Sequence, residues 1–322
     1  MSRLDLEILK TTGLTTVRPG VADDLYVVCA SYEPRAVVVS GILGTTYRAR
    51  TGVIYVNREF EDGPGGNMTR ASIQTLHARL RACCDTVSLA RGSWLDAREQ
   101  IRALADAFTT GPVNSVSLDV TTFNRESLLH AVGMLRMRFP ACQLRVIYAS
   151  PAKYGDWLSR GFIGIRNIMG LGCVQHASWP TLLVVLSGFE PERTQRAIEE
   201  YEPELVLLGI GDPPTSSAFL DRNVQEQCRF TFDKQNLEVF TFPADSAAGT
   251  RDQLQALTDR FMSTHNVVLV PQSTKLSTLG SYLFAEQHPE VQVSYCIPAE
   301  YNTAGYSEGV GDLFEERLPS RR

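Results

Sequence analysis

An internal repeat constrains this chain more than any other feature, because a duplicated sequence predicts a duplicated fold. Residues 26–35 read YVVCASYEPR and residues 183–193 read LVVLSGFEPER; each is an apolar run, a small-residue turn, an aromatic residue, Glu-Pro and an arginine. Three further pairs follow in the same order: REQIRALAD with RDQLQALTD, NRESLL with TKLSTL, and PAKY with PAEY. Two unrelated units of similar periodicity would not keep this order, so we predict two tandem units that arose by duplication.

Short apolar runs alternate with segments of helical period in both halves. The predicted strands are residues 25–30, 53–56, 86–89, 115–120 and 144–149, then 181–186, 205–208, 238–242, 267–270 and 292–296. The predicted helices are residues 34–42, 69–83, 95–108 and 125–139, then 192–199, 218–227, 250–263 and 275–287. Continuous apolar strands that alternate with helices are typical of a parallel sheet. We therefore predict an α/β fold: two tandem Rossmann-like units with mainly parallel sheets, related by internal duplication.

The repeat also predicts the domain boundaries. The first unit covers residues 23–155 and the second covers residues 181–305. An N-terminal extension, residues 1–22, precedes them and is expected to add an edge strand or hairpin. Residues 156–180 are a connector that could add a strand or hairpin to the first unit. Residues 306–322 form a C-terminal tail whose charged end is expected to be frayed.

Composition excludes several classes of function. A net charge of −5 and a pI near 5.6 argue against a protein that coats duplex DNA. No run of about 18 apolar residues predicts a membrane span, and the N-terminus lacks the apolar core of a signal peptide. Seven scattered cysteines without a CxxC pair favour a reduced, cytoplasmic compartment. No metal-ligand spacing and no HExxH, GxSxG or Walker A motif occurs, so no metal and no resident cofactor are predicted.

Polar residues follow the first strand of each unit, where a parallel sheet binds its ligands. Ser31, Glu33 and Arg35 follow the strand in the first unit, and Arg193 occupies the matching place in the second. Either the turn faces a ligand and presents arginine to a phosphate, or the glutamate is a dipole partner and the arginine is solvated. The sequence leaves both interpretations open.

The turns after the fourth strands carry the strongest signal. They contain Thr121, Thr122, Asn124 and Arg125 in the first unit, and Gln272, Ser273, Thr274 and Lys275 in the second. Hydroxyls and an amide before a cation at a helix start suit a phosphate or a ribose. Capping alone does not explain the cation, because a basic residue in the first turn opposes the helix dipole. We therefore predict ligand binding at both turns.

Three further residues are candidates with an open alternative. Asp119 precedes the first of these turns and aligns with Leu269, so it is either an acid/base in the first unit or a turn residue. Tyr154 and Tyr301 each follow Pro-Ala near the fifth strand. They would either stack on a base or pack against a helix.

The tandem arrangement and the Gln272-Ser273-Thr274-Lys275 turn resemble the CARF superfamily, and in particular the SAVED branch, which carries two CARF-like units in one chain. These domains sense cyclic oligonucleotides made during antiviral signalling. The resemblance implies ligand contacts at Ser273, Thr274 and Lys275, and also at Asn124 and Arg125.

The sequence thus predicts a nucleotide-sensing module, with a cyclic oligonucleotide as one candidate ligand, in an intracellular antiviral-defence system. Its expected partners are a small nucleotide or phosphate-bearing ligand and an effector or complex subunit. One alternative is an enzyme acting on a nucleotide or sugar-nucleotide, with Asp119 or Glu33 as the acid/base. The other is a degenerate Rossmann scaffold in a protein complex, in which the motifs are structural relics.

Overall fold

The computed structural model describes residues 22–108, 111–212, 217–228 and 236–321. The predicted N-terminal edge strand or hairpin lies outside these residues, apart from Ala22. The chain divides into two compact units. The first comprises Met1–Gly155 together with Thr303–Arg322, and the second comprises Asp156–Asn302.

The first half of the chain alternates strands and helices as predicted. Its strands are β1 (Ala22–Ala30), β2 (Arg48–Asn57), β3 (Cys84–Gly92), β4 (Ser115–Asp119), β5 (Gln143–Ala149) and β6 (Lys153–Tyr154). Its α-helices are α1 (Val38–Leu43), α2 (Arg58–Asp62), α3 (Gly66–Cys83), α4 (Ala97–Ala107) and α5 (Arg125–Arg138). A 3-10 helix, Pro34–Val37, leads into α1. Asp96 and Asn124 cap α4 and α5 by accepting backbone N–H groups.

The second half repeats this order. Its strands are β7 (Ser159–Arg160), β8 (Gly164–Asn167), β9 (Thr181–Leu186), β10 (Leu205–Gly211), β11 (Leu237–Phe242), β12 (Asn266–Pro271), β13 (Gln292–Ile297) and β14 (Glu300–Tyr301). Its α-helices are α6 (Pro191–Tyr201), α7 (Ser217–Cys228), α8 (Ala247–Thr258) and α9 (Lys275–Gln287). The strands β15 (Ser307–Glu308) and β16 (Leu313–Leu318) follow at the end of the chain.

Each unit contains a six-stranded sheet with the same topology. The orders are β16-β5-β4-β1-β2-β3 and β11-β10-β9-β12-β13-β8. In each sheet the five strands that belong to the repeat, β1–β5 or β9–β13, are parallel. The sixth strand, β16 or β8, is antiparallel. Apolar side chains of β1, β2 and β5 form a buried cluster with α1 and α3. The predicted fold class, two Rossmann-like α/β units, is confirmed.

The sixth strand of each sheet comes from an unexpected part of the chain. β16 lies beyond the second repeat yet pairs with β5 of the first unit, from Leu313 opposite Ala149 to Leu318 opposite Leu144. β8 lies beyond the first repeat yet pairs with β13 of the second unit. The expectation of a frayed tail was therefore wrong for residues 313–318, and the connector strand completes the second unit rather than the first.

The two short strand pairs follow the same pattern of exchange. β6 pairs with β15 in the first unit, and β7 pairs with β14 in the second. We call residues 303–318 the C-terminal arm and residues 156–167 the connecting arm. None of the helices in the described ranges is long and apolar enough to cross a bilayer.

The C-terminal arm makes a first prediction. Deleting residues 312–322 removes β16, including the buried side chain of Leu318, and exposes the edge of β5. Amide hydrogen exchange in β5 should accelerate at least tenfold, because its local stability falls by more than about 1.4 kcal/mol. Deleting residues 320–322 removes no strand and is the control. Equal exchange in both variants would mean that β16 does not complete the sheet.

Candidate functional site

The predicted strand-four turns lie where the strand order reverses in each sheet. β1 neighbours β4 in the first unit, and β9 neighbours β12 in the second. Open α/β sheets bind ligands beyond the carboxyl ends of the strands at this point. The Thr122 hydroxyl donates to the Cys29 carbonyl across 2.6 Å, and the Gln272 N–H donates to the Leu186 carbonyl across 2.8 Å. Both turns are therefore fastened to the neighbouring strand.

The turn of the first unit is held by its own polar groups. Asp119 Oδ1 accepts from the Thr121 N–H at 3.0 Å, and Thr121 Oγ1 accepts from the Ala149 N–H at 3.0 Å. Asn124 caps α5, because its Oδ1 accepts from the Ser127 N–H at 2.7 Å. Thr121, Thr122 and Asn124 are buried, whereas Arg125, the first residue of α5, is half-buried.

The second unit builds the same turn from different residues. Thr274 Oγ1 accepts from the Ser277 N–H at 3.1 Å and donates to the Ala244 carbonyl at 2.5 Å, so it caps α9. The buried Gln272 side chain accepts from Thr194 Oγ1 at 3.2 Å. Ser273 and Lys275 are half-buried. The structure thus places Arg125 and Lys275 at the same position, the first residue of the helix after the turn.

Gly188 shows how closely the two strand ends of the second unit approach. A Cβ atom at this position would lie 2.3 Å from the Gln272 carbonyl oxygen. A side chain would therefore push the β9 turn away from the β12 turn. The glycine in the repeated motif is explained by this contact.

The repeated Glu-Pro-Arg motif forms a buried clamp in the first unit. The Arg35 guanidinium pairs with the Glu33 carboxylate, and it donates to Ser307 Oγ at 3.1 Å and to the Ala149 carbonyl at 2.6 Å. Ser307 in turn donates to Glu33 Oε2 at 2.7 Å. Burial alone would lower the pKa of Arg35, but the charge and hydrogen bond of Glu33, together with Tyr148 and Tyr154, outweigh it and hold the pKa above its ordinary value. The motif therefore fastens the C-terminal arm to the β1 turn.

The second unit contains the matching clamp. Arg193 pairs with Glu190 at 2.5 Å, and Glu190 Oε1 accepts from the backbone N–H and the hydroxyl of Ser159 at 3.0 and 2.8 Å. Ser159 lies in the connecting arm as Ser307 lies in the C-terminal arm. Because each clamp fastens an arm, the recurrence of Glu and Arg in both units is explained without a ligand. Phosphate binding by Arg35 or Arg193 stays a prediction, and the geometry favours the structural role.

The predicted tyrosines lie beside these clamps. The hydroxyls of Tyr154 and Tyr148 are 3.5 Å apart, and those of Tyr301 and Tyr295 are 2.7 Å apart. Tyr154 also makes an edge contact with Tyr306, with ring centroids 6.4 Å apart. Burial raises the pKa of Tyr154 well above its usual value. These contacts are those of packed side chains, and base stacking by Tyr154 or Tyr301 stays a prediction.

A cavity of about 330 Å³ borders the clamp of the first unit, with Arg35, Arg79 and Ser307 in its wall. The Arg35 guanidinium in this wall is hydrogen-bonded to Glu33, Ser307 and the Ala149 carbonyl. Ser31, the remaining candidate in the β1 turn, is buried, and its hydroxyl lies 3.4 Å from the Glu33 N–H. The described residues contain no group of three or more His, Cys, Asp or Glu side chains that could hold a metal ion.

Asp119 is an exceptional group in the first unit. It is 1% exposed, and its Oδ2 has no hydrogen-bond partner among the described residues. Burial raises the pKa of Asp119 to about 7, although hydrogen bonds from Thr121 and the charge of Arg35 oppose the shift. Perturbed buried carboxyls of this kind are common in functional sites.

The strand register corrects the sequence counterpart of Asp119. Asp119 lies opposite Val28, and Val270 lies opposite Val185. Val28, Val185 and Val270 all belong to the apolar clusters that face the helices after the first strands. Val270 is therefore the counterpart of Asp119, one residue beyond Leu269, because the turn of the first unit is one residue longer. The difference between the two units remains: a carboxyl in one and an apolar side chain in the other.

Asn57 was not predicted from the sequence. It ends β2 and is fully buried beside the first turn of α5, where it contacts Ser127. A polar residue directly after the apolar run VIYV was the available signal, because it marks the carboxyl end of a buried strand.

The buried clamp makes a second prediction. Glu33→Gln leaves the Arg35 guanidinium buried without its counter-charge, so the free energy of unfolding should fall by about 3 kcal/mol in urea denaturation. Replacing both residues, as Glu33→Leu with Arg35→Met, should cost less than the single change. Glu61→Gln, which breaks the exposed Arg91–Glu61 pair, is the control and should cost at most about 1 kcal/mol. A Glu33→Gln variant as stable as this control would contradict the clamp.

A third prediction concerns the pH dependence of stability. The folded pKa of Asp119 is about 7 and the ordinary value is 3.8. Between these values the unfolded chain ionises while the folded protein keeps its proton, so stability falls as pH rises and the penalty is complete above pH 7. From pH 5 to pH 7, wild type should lose about 2 kcal/mol relative to Asp119→Asn in urea denaturation. Parallel pH profiles would show that Asp119 is not shifted.

Comparison with solved structures finds matching chains. A Type III CRISPR defence DNA nuclease activated by cyclic oligoadenylate superposes with a TM-score of 0.51 at 10% identity, over 90% of this chain and 68% of that chain. A short-chain type dehydrogenase/reductase from Mycobacterium ulcerans matches over 78% of this chain and 68% of that chain, at 9% identity. Its TM-score of 0.26 is too low to indicate a shared fold. No family model matches the chain, and no curated protein matches it. At 10% identity the first likeness shows a similar fold alone.

Proposed function

We propose that this protein senses a nucleotide, that the ligand is a cyclic oligonucleotide, and that the protein serves an intracellular antiviral-defence system. The supporting observation is the matched pair of turns at the points where the strand order reverses. In each unit a polar cap is followed by a cation at the first residue of a long helix: Asn124 and Arg125 before α5, and Thr274 and Lys275 before α9.

The position of these cations favours an anionic ligand. A helix N-terminus carries a partial positive charge, so a basic residue there costs about 0.3–1 kcal/mol. A phosphate beside the same N-terminus offsets that cost, because it attracts both the cation and the positive end of the helix dipole. Arg125 and Lys275 are half-buried, where a charge pair is stronger than in open water. Each of the two positions therefore suits a phosphate.

The structural neighbour supports the choice of ligand. It is activated by cyclic oligoadenylate, and the likeness extends over 90% of this chain, so it includes both repeats. Among the proposed contacts, Ser273 and Lys275 are half-buried, whereas the Thr274 hydroxyl is spent on the Ala244 carbonyl. We therefore assign Thr274 a capping role and propose Ser273, Lys275, Asn124 and Arg125 as the side chains that contact the ligand. The effector would be a further component of the system.

Asp119 supports a second candidate function, an enzyme acting on a nucleotide. A buried carboxyl with a pKa near 7 and one oxygen without a partner can exchange a proton at neutral pH. Its absence from the second unit suits chemistry confined to one half. Glu33 is a weaker candidate, because Arg35 and Ser307 occupy its carboxylate. Turnover of a nucleotide panel that survives Asp119→Asn would remove Asp119 from any mechanism.

A fourth prediction tests the sensing function. Cyclic tri-, tetra- and hexa-adenylate should include a ligand that raises the melting temperature and binds in isothermal titration calorimetry. Arg125→Ala with Lys275→Ala should weaken that binding at least 100-fold, because two charge-assisted contacts of about 1.5 kcal/mol each are lost. Arg98→Ala with Arg251→Ala removes two other helix cations, one from each unit, and should leave the affinity unchanged.

Two outcomes would contradict the proposal. The first is the absence of any thermal shift with cyclic and linear nucleotides. The second is undiminished binding by the Arg125→Ala, Lys275→Ala variant. If that variant also kept every protein partner of the wild type, the scaffold alternative would be favoured, because the polar turns would then serve the fold alone.

A further inference from the structure

Two buried amide groups in the first unit have unused hydrogen-bond donors. Asn57 is 0% exposed and Asn124 is 6% exposed, and the Nδ2 atoms of both have no partner among the described residues. A buried donor left unpaired costs about 1–3 kcal/mol. Most buried polar groups in proteins are paired, so two unpaired amides in one region point to an acceptor that completes them.

Contacts with Ser127 bring the two amides to the same place. The Ser127 N–H donates to Asn124 Oδ1 at 2.7 Å, and Ser127 Oγ makes a longer contact of 3.5 Å with Asn57 Oδ1. Tyr55 donates its hydroxyl to Asn57 Oδ1 at 3.1 Å. Because Asn124 Oδ1 accepts a backbone N–H, the Nδ2 atom must be its free end. Both amides therefore lie beside the first turn of α5.

The charges around this turn favour an anionic oxygen as the acceptor. The N-terminus of the 14-residue helix α5 offers a positive dipole end, and Arg125 is its first residue. Glu126 also lies in this turn, but its Oε2 accepts from Gln100 Nε2 at 3.1 Å. Asp119, which precedes this turn, is bound through Oδ1 by the Thr121 N–H, and the Glu59 carboxylate accepts from the Trp94 N–H at 3.1 Å.

The second unit lacks this pair of amides. The register places Tyr55 opposite Cys29 and Gly209 opposite Leu186, so Gly211 is the counterpart of Asn57. Thr274 is the counterpart of Asn124 and spends its hydroxyl on the Ala244 carbonyl. The unused amide donors are therefore a feature of the first unit among the described residues.

We infer that Asn57 and Asn124 form an anion subsite in the first unit, in which their Nδ2 groups and the N-terminus of α5 hold a phosphate oxygen. The inference rests on the proposed nucleotide-binding function and adds Asn57 as a binding residue at the end of β2. It also makes the two units unequal, because the first holds a phosphate through two amides as well as Arg125, and the second through Ser273 and Lys275.

A fifth prediction tests the subsite with matched variants. Asn124→Asp keeps the cap on α5, since aspartate and asparagine cap equally well, but it replaces the donor with a repelling carboxylate. Inorganic pyrophosphate, titrated by calorimetry, should bind this variant at least tenfold more weakly than wild type. Asn67→Asp adds the same charge at an exposed position in the first turn of α3 and should bind as wild type does.

Asn57→Leu distinguishes binding from a structural role. It removes the unpaired donor together with the Oδ1 acceptor of Tyr55, whose hydroxyl keeps Ser127 Oγ as a partner at 3.2 Å. The melting temperature without ligand should therefore change little, while pyrophosphate binding should weaken at least tenfold. Lower thermal stability with unchanged binding would overturn the subsite. A crystal structure grown with phosphate should show an anion within hydrogen-bond distance of both Nδ2 atoms; a water molecule alone at that point would also overturn it.

The two proposals fail in different ways. Pyrophosphate binding that depends on Asn57 and Asn124, without binding of any cyclic oligonucleotide, would support the subsite and refute the proposed ligand. Cyclic oligonucleotide binding that is equal in wild type, Asn57→Leu and Asn124→Asp would support the proposed function and refute the subsite.

Discussion

A buried ion pair between glutamate and arginine, made once in each unit, holds together the exchanged segments that complete both sheets. The pairs Glu33–Arg35 and Glu190–Arg193 lie directly after the first strand of each repeat, and each glutamate accepts a serine hydroxyl from an arm. A buried charge that loses its partner costs several kcal/mol. The arms are therefore fixed by charge as well as by strand pairing, at the edge of the sheet where a ligand would bind.

The same scaffold carries different polar groups in its two halves. At the turns after β4 and β12, the backbone contacts and the helix caps correspond, and a cation follows each cap. Around them, the first unit has Asp119 where the second has Val270, and it has Asn57 where the second has Gly211. This division between a shared frame and divergent side chains is expected where function depends on a site and not on the fold.

The parallel strands could be predicted because their burial on both faces produces uninterrupted apolar runs, as in residues 181–186. The pairing of the two arms could not be predicted, because β6 and β15 are two residues long and lie about half the chain apart in sequence. The motif around Arg35 was found, but its role was ambiguous, since a phosphate and a carboxylate attract the same guanidinium. The sequence aligned Asp119 with Leu269 because the turn after β4 is one residue longer than the turn after β12. Only the register of the paired strands reveals this difference.

The central claim is that each strand-four turn binds a phosphate of a nucleotide. Mass spectrometry of small molecules released by denaturing the purified protein tests it most directly. The wild type should release a nucleotide in near-stoichiometric amount, and the protein lacking the Arg125 and Lys275 cations should release none. The claim would be contradicted if both folded proteins released no nucleotide, or if both released the same one in equal amount.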